Sequence, residues 1–241
     1  MPISEKSNPF LFPGAVVGTI HTPQALAAAL ELRPKAVDFL ELRVDAFASF
    51  DLERLESEIG RLPAPLLVTV RHPKEGGANQ LGLSQRRALF KRFLPHATLI
   101  DVELRSAGEL SDILAEAREQ RIATVLSHHD FRTTPSIKRL QALAQAASRT
   151  GCTVFKVATV ASSPKALAVL MEFLASHRPV PRSRALPGMA LAVMGMGEFG
   201  KISRLALGRA GSVLNYGYLD KPQVSGQWPA ELLKQRLLEL E

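Results

Sequence analysis

IATVLSHHDFRTTPSIKRLQALAQAASRTGCTVFKVATV, residues 122–160, reads as strand, helix, strand. Its ends, IATVLSHHD (122–130) and TVFKVATV (153–160), are short, β-branched and almost continuously apolar. Strands covered on both faces, as in a parallel sheet, have that composition. The segment between them, SIKRLQALAQAASRT, is amphipathic and opens on a serine suited to cap a helix. Outward from this unit the alternation continues in both directions. Further strand-like runs are AVVGTI (15–20), AVDFLELRVD (36–45), PLLVTVR (65–71), ATLIDVEL (97–104), GMALAVMG (188–195) and SVLNYGYLD (212–220). Between and after them lie TPQALAAALELR, DLERLESEIGRL, LSQRRALFKRFL, SAGELSDILAEAREQ, SPKALAVLMEFLASH, KISRLALGRAG and WPAELLKQRLLEL. Thr22-Pro23 supplies a cap and a first-turn proline for the first of these. Strand starts recur roughly every 28 residues. Eight strands alternating with eight helices predict an α/β fold with a parallel sheet, and in this length a (β/α)8 TIM barrel. A doubly wound sheet is the alternative, because periodicity does not reveal closure. No linker splits the chain. The expectation is a single domain over 14–241, a loosely ordered start over 1–13, and a loop at 179–187 (PVPRSRALP).

Composition agrees with a globular protein. The chain has 241 residues, 46% apolar and 22% charged, which excludes collagen, coiled coil and wholesale disorder. One cysteine forms no internal disulfide. No apolar run reaches the roughly 20 residues of a membrane span, and MPISEKSNPFLFPG lacks the basic and apolar regions of a signal peptide. A cytoplasmic protein without membrane attachment is the expectation. The net charge is +7, which favours anionic partners. The basic residues are scattered, densest at Arg86-Arg87 with Lys91-Arg92 and at Arg178, Arg182 and Arg184. One Trp and two Tyr give few platforms for stacking bases, so nucleic-acid binding is disfavoured.

Barrel enzymes hold their sites at the carboxyl ends of the strands. Polar residues gather there: Glu41, Arg43 and Asp45; Arg71 with Lys74 and the Glu75-Gly76-Gly77 turn; Asp101 and Glu103; Ser127 to Asp130; Lys156; Arg204; and Gln223, Ser225 and Gln227. Lys156 stands within an apolar strand, and alternation turns it inward with Val154 and Ala158, leaving Phe155 and Val157 to meet helices. A lysine so placed is either a Schiff-base nucleophile or a buried ion-pair partner, with Glu41 or Glu103 as counter-charge. Of His128 and His129, adjacent and therefore opposed in direction, one is expected inside as general acid and base. Arg43, Arg71 and Arg204 suit a carboxylate or phosphate, while Arg43 has a structural alternative in Glu41 or Asp45. Gly195, Gly197 and Gly200 imitate a dinucleotide fingerprint, with Asp220 twenty residues beyond Gly200. They follow the seventh strand, however, and no second nucleotide-binding half follows. Cys152 reads as a packed core thiol, and no clustered spacing supports zinc.

The motifs E-L-R-V-D (41–45), V-R-x-x-x-E-G-G (70–77), S-x-H-D-F (127–131), F-K-V-A (155–158), M-G-x-x-G-x-x-S-R (196–204) and S-G-Q (225–227) occur in that order. Together they resemble type I 3-dehydroquinate dehydratase, the Schiff-base class of that shikimate-pathway enzyme, across nearly the whole chain. The resemblance implies Lys156 as the Schiff-base lysine, His129 as the catalytic histidine and Glu75 as the glutamate of the E-G-G turn. It implies Arg204 as the carboxylate-binding arginine, and Glu41, Arg43, Arg71 and Gln227 as substrate-binding residues. The family often has a serine where this chain has Gln223, which the resemblance places in the substrate-binding loop. It also implies a small anionic substrate, no metal or organic cofactor, and a homodimer. An aldolase acting on keto-sugar phosphates is the nearest rival, and a barrel kept as an inactive scaffold is another.

Overall fold

The computed structural model describes residues 11–177 and 188–240. Most of the expected loose start, the 179–187 loop, and Arg178, Arg182 and Arg184 lie outside the described residues. The strands are β1 Val16–Ile20, β2 Phe39–Arg43, β3 Leu66–Thr69, β4 Leu99–Glu103, β5 Ala123–Asp130, β6 Val154–Val160, β7 Ala190–Met196 and β8 Asn215–Tyr218. The helices are α1 Pro23–Leu30, α2 Leu52–Ile59, α3 Leu83–Phe93, α4 Ser111–Glu119, α5 Ile137–Ser148, α6 Pro164–Ser176, α7 Gly200–Ala210 and α8 Ala230–Glu239. Pairing is parallel throughout, in the spatial order β7-β6-β5-β4-β3-β2-β1-β8. The sequential order with β8 beside β1 removes the doubly wound alternative, which would reverse at a switch point. Hydrogen bonds just before β8 stitch the remaining seam. Val213 N–H donates to Leu191 O at 3.0 Å. Ser212 Oγ accepts from Val193 N–H at 2.9 Å and donates to Val193 O at 3.2 Å. The result is a nearly closed eight-stranded barrel.

Local chemistry accounts for the helix starts. Thr22 Oγ1 accepts from Ala25 N–H at 3.0 Å, Asp51 Oδ1 from Arg54 N–H at 3.0 Å and Ser163 Oγ from Ala166 N–H at 3.2 Å, each satisfying a first-turn donor. The strand-like runs overshoot the strands. AVDFLELRVD narrows to β2 because Val44–Phe47 turn into a 3₁₀ helix, and SVLNYGYLD narrows to β8 because Ser212 is engaged with β7.

Two cores result from the twofold alternation of the strands. Outward-facing Leu40, Leu42, Val68, Ile100, Leu126, Phe155 and Val157 pack with Phe90, Phe93, Leu140 and Phe173 of the helices. Inward-facing Val17, Phe39, Leu67, Leu99, Val125 and Val154 fill the lower barrel. Burying each such side chain contributes about 1.5–3 kcal/mol. Two residues further along those same strands stand Thr19, Glu41, Thr69, Asp101, Ser127 and Lys156, all buried. The barrel therefore changes from an apolar plug to a charged layer within one step of the pleat. Among the described residues no helix is long and apolar enough to cross a membrane.

Candidate active site

The charged layer floors a cavity of about 400 Å³ lined by, among others, Glu41, Arg43, Arg71, Glu75, His129, Lys156, Arg204, Gln223 and Gln227. The nine residues to which the resemblance gives catalytic or substrate-binding roles are thus brought together, whereas Asp45, Lys74, Glu103, His128, Asp130 and Ser225 do not line it. Lys156 is 4% exposed. Its Nζ lies 2.9 Å from Asp101 Oδ2, 4.0 Å from Glu41 Oε1, and 3.8 Å from the centroid of the Tyr216 ring. The main counter-charge is therefore Asp101, not Glu41 or Glu103. Glu103 is engaged elsewhere, with Arg71 Nη1 at 3.2 Å and Arg86 Nη2 at 2.5 Å.

Arg71 organises this layer. Its guanidinium grips both Asp101 oxygens at 2.9 Å, donates to Ser127 Oγ at 2.7 Å and lies 3.8 Å from Glu41. Thr69 Oγ1 donates to the same Glu41 oxygen at 2.9 Å. Burial alone would push the Asp101 carboxyl up, but Arg71 and then Lys156 hold it below the usual carboxylate range. Arg71, Arg86 and Lys156 balance Glu41, Asp101 and Glu103 in charge, so the buried layer is locally neutral. Removing one member of such a network costs about 3–5 kcal/mol because it leaves an uncompensated charge.

Arg86, which the sequence reading placed only in a dense basic group, is a buried member of this network. It is 1% exposed and also donates to Val70 O at 3.0 Å and Ser106 Oγ at 3.1 Å. Its neighbours Arg87 and Arg92 are the surface members, paired with Asp112 and with Glu53 and Glu56.

His129 is the inward histidine. Its Nδ1 lies 2.9 Å from Glu75 Oε2, and its backbone N–H donates to the same oxygen at 3.1 Å. Burial, with the charges of Arg71 and Lys156, holds the imidazole well below its ordinary pKa. Burial pushes the Glu75 carboxyl up to about 7, against the pull of Arg71. The E-G-G turn that delivers Glu75 depends on its glycines. Gly76 has φ of 86°, and a Cβ on Gly77 would lie 2.6 Å from Arg71 O. Arg43 pairs with Asp45 at 2.8 Å and donates to Gly76 O at 2.8 Å. Its structural alternative is thus realised while it still lines the cavity.

Arg204 reaches the cavity from α7 and is 1% exposed. Its guanidinium donates to the carbonyls of Tyr216 at 3.0 Å, Gly195 at 2.7 Å, Gly200 at 3.0 Å and Gly226 at 2.7 Å. Burial lowers it to about 10. Among the described residues no acidic side chain forms an ion pair with it, so it presents a buried positive charge to an incoming anion. The loop after β8 closes this side. Gln227 Oε1 accepts from the N–H groups of Gln223 at 2.7 Å and Val224 at 3.3 Å, tying the two glutamines into one turn.

The apparent dinucleotide fingerprint has a different use: its glycines admit this loop. A Cβ on Gly200 would meet Gly226 Cα at 2.7 Å. Asp220 is occupied by Thr22 Oγ1 at 3.1 Å. Cys152 is buried in the helix-facing core, as expected. Asp101 and Tyr216 are the residues to which sequence reasoning gave no role. Asp101 was within reach of the argument used for Lys156, since an acid inside LIDVE also faces inward by alternation. Tyr216 carried no comparable signal, because an aromatic residue in a strand reads as core. Among the described residues no group of three or more His, Cys, Asp or Glu side chains is arranged to hold a metal ion.

The chain matches the family model described as type I 3-dehydroquinase over residues 15–240. It is 31% identical over 231 residues to the 3-dehydroquinate dehydratase of Thermococcus gammatolerans, an alignment covering 94% of this chain and 99% of that one. It is 37% identical over 205 residues to the 3-dehydroquinate dehydratase of Latilactobacillus sakei, covering 83% and 82% respectively. Among solved structures, the type I 3-dehydroquinate dehydratase of Clostridium difficile with covalently modified comenic acid superposes with a TM-score of 0.81 at 25% identity. That alignment covers 94% of this chain and 92% of that one.

Proposed function

The chain belongs to the type I 3-dehydroquinase family, and on that premise we propose that Lys156, His129 and Glu75 are the catalytic residues of its reaction. The protein is a lyase that dehydrates 3-dehydroquinate to 3-dehydroshikimate through a Schiff base, in the shikimate pathway to aromatic amino acids. Glu41, Arg43, Arg71, Arg204, Gln223 and Gln227 bind the substrate. The observation that carries the residue assignment is the placement of Lys156 Nζ, buried beside Asp101 on the floor of the same cavity that His129 lines.

The amine of Lys156 adds to the ring ketone. A C–N bond forms, the ketone oxygen leaves as water with both amine hydrogens, and the proton first given up by the lysine ammonium returns to the nitrogen to make the iminium. The iminium withdraws electrons from the neighbouring C–H, and His129, kept neutral by burial, removes that proton. The C–H electron pair makes the enamine, whose collapse expels the hydroxyl. His129 returns the proton so that the hydroxyl leaves as water, and hydrolysis frees the product and the amine. Arg204 anchors the substrate carboxylate, a role supported by its lack of an acidic partner among the described residues. Glu41, Arg43 and Arg71 position the hydroxyls and the reacting pair. The family match sets aside the aldolase rival. As part of the same reading we place the enzyme in the cytoplasm as a homodimer, the latter to be read from the sedimentation of the purified chain.

The test is direct. Purified protein mixed with 3-dehydroquinate should raise the ultraviolet absorbance of the conjugated enone, and borohydride should fix an adduct on Lys156. Lys156→Ala should abolish both signals. Enone formation at the parental rate by that variant would remove Lys156 from the mechanism. A flat absorbance from folded parent protein would leave the inactive-scaffold reading in its place.

A further inference from the structure

Tyr216 has no place in the roles assigned above, yet it touches the reacting nitrogen. Its side chain enters the barrel from β8 and is 4% exposed, with Lys156 Nζ over its ring at 3.8 Å from the centroid. The other groups around Nζ come from different strands. Asp101 of β4 stands at 2.9 Å and Glu41 of β2 at 4.0 Å. Arg71 of β3 holds both carboxylates, and His129 of β5 lies within the field of Lys156. β7 sets only Ala192 beside Lys156 in register. In strand order β8 stands opposite β4 in the ring of eight, so the ring and Asp101 fix the nitrogen from opposite walls.

We infer that Tyr216 is a positioning residue for Lys156, its ring face holding the nitrogen in place and favouring the two cationic states of the reaction, ammonium and iminium. The inference rests on the reading of Lys156 as the Schiff-base lysine. In the overall condensation the ammonium and the ketone give the iminium and water. The C–N bond forms, the C=O bond breaks, and the oxygen leaves with two of the three nitrogen-bound hydrogens. The charge stays at +1. A hydrogen bond to Asp101 depends on N–H donors, and condensation reduces these from three to one. Attraction to a ring face depends only on the positive charge and so persists through the step. The ring also has no atom at its face to take a proton from the ammonium, unlike a second carboxylate at that place.

The hydroxyl is not what retains the side chain. Among the described residues Tyr216 Oη is buried without a hydrogen-bond partner. Tyr216→Phe should therefore keep the ring and its effect, while Tyr216→Leu should lose it. Tyr216→Met, also flexible and apolar, serves as a second ring-free variant should the leucine variant fold poorly. The readout is the rate of imine formation on Lys156 against pH, measured by rapid borohydride quench of the full chain with 3-dehydroquinate. This rate rises with pH as the amine loses its proton. Without the ring the ammonium is less favoured, so the rising limb should move to lower pH by about 1.5 pH units, the size of a desolvated cation–π contact. The phenylalanine variant should keep the parental limb. A purely structural role would lower the rate without moving the limb. A limb unmoved in both ring-free variants, or moved as far in Tyr216→Phe, overturns the assignment of Tyr216. Absence of any adduct on Lys156 in the parent chain overturns the Schiff-base reading, and this inference with it.

Discussion

Glu75 and His129 share one proton between Oε2 and Nδ1 at 2.9 Å, and where that proton sits decides what the imidazole can do. A carboxyl raised to about 7 by burial stays protonated almost to neutrality. Protonated, it donates to Nδ1 and leaves Nε2 carrying the hydrogen, which is the acid form. Ionised, above about pH 7, it accepts from Nδ1–H and frees the Nε2 lone pair, which is the base form. We therefore expect the parental kcat to rise through about pH 7, and Glu75→Gln to lose that limb and about 10²-fold in kcat. A limb that persists in the glutamine variant assigns the titration to another group. The same shift has a sign in stability. A carboxyl easier to protonate folded than unfolded stabilises fully below its unfolded value of 4.5 and loses that contribution as pH rises through about 7. Glu75→Gln should thus gain stability relative to the parent as pH rises across that window. At this scale the sequence was informative wherever a charged residue interrupted an apolar strand, as with Lys156. It was silent where a charge lay on a helix. Arg86 shares a buried face with Phe90 and Phe93, spaced four and seven residues on, yet among several neighbouring bases nothing singled it out.

Elements locate these residues, and their junctions are where glycine is indispensable. Gly226 has φ of +83°, and a Cβ there would lie 2.4 Å from Gly197 O and 2.6 Å from Gly200 Cα. Its carbonyl also accepts from Arg204 at 2.7 Å. Gly226→Ala combines an unfavourable backbone region with a clash against backbone that cannot swing aside. The expected result is a loop displaced from the start of α7, with Gln223, Gln227 and the Arg204 contact shifted together. KM should rise while trapping on Lys156 remains, and the penalty of about 1–3 kcal/mol should lower Tm by several degrees at about 2–4 °C per kcal/mol. An unchanged KM would detach this loop from substrate binding. Helix starts were legible where a cap such as Thr22 or Ser163 supplies the local chemistry. Strand ends were not, because burial continues past the ladder. Val44 and Phe47 are buried yet belong to a 3₁₀ turn. Ser106, read as a helix start, instead meets Arg86 at 3.1 Å, and α4 begins at Ser111.

Across the whole molecule the repeat of strand and helix was written in the sequence, whereas closure was not. Closure depends on pairing such as Val16 with Asn215, contacts between distant segments that no local period records. Charge is likewise a property of the whole. The surplus of +7 belongs to the full sequence, while Lys156, proposed above as the reacting residue, lies in a buried layer whose own charges nearly cancel. These two facts predict different responses to salt. Attraction of an anionic substrate from solution acts over the Debye length, about 30 Å at 0.01 M and about 8 Å at 0.15 M salt. Raising salt over that range should lower kcat/KM for 3-dehydroquinate by at least about twofold. Screening reaches the Lys156–Asp101–Arg71 cluster far less, so kcat should hold. An uncharged ketone trapped on Lys156 should show neither effect, which separates steering from a general action of salt on the protein. If kcat/KM stays flat for the anion, the basic surplus has no part in capture. Arg204, acting at close range, would then be the sole source of the preference for a carboxylate.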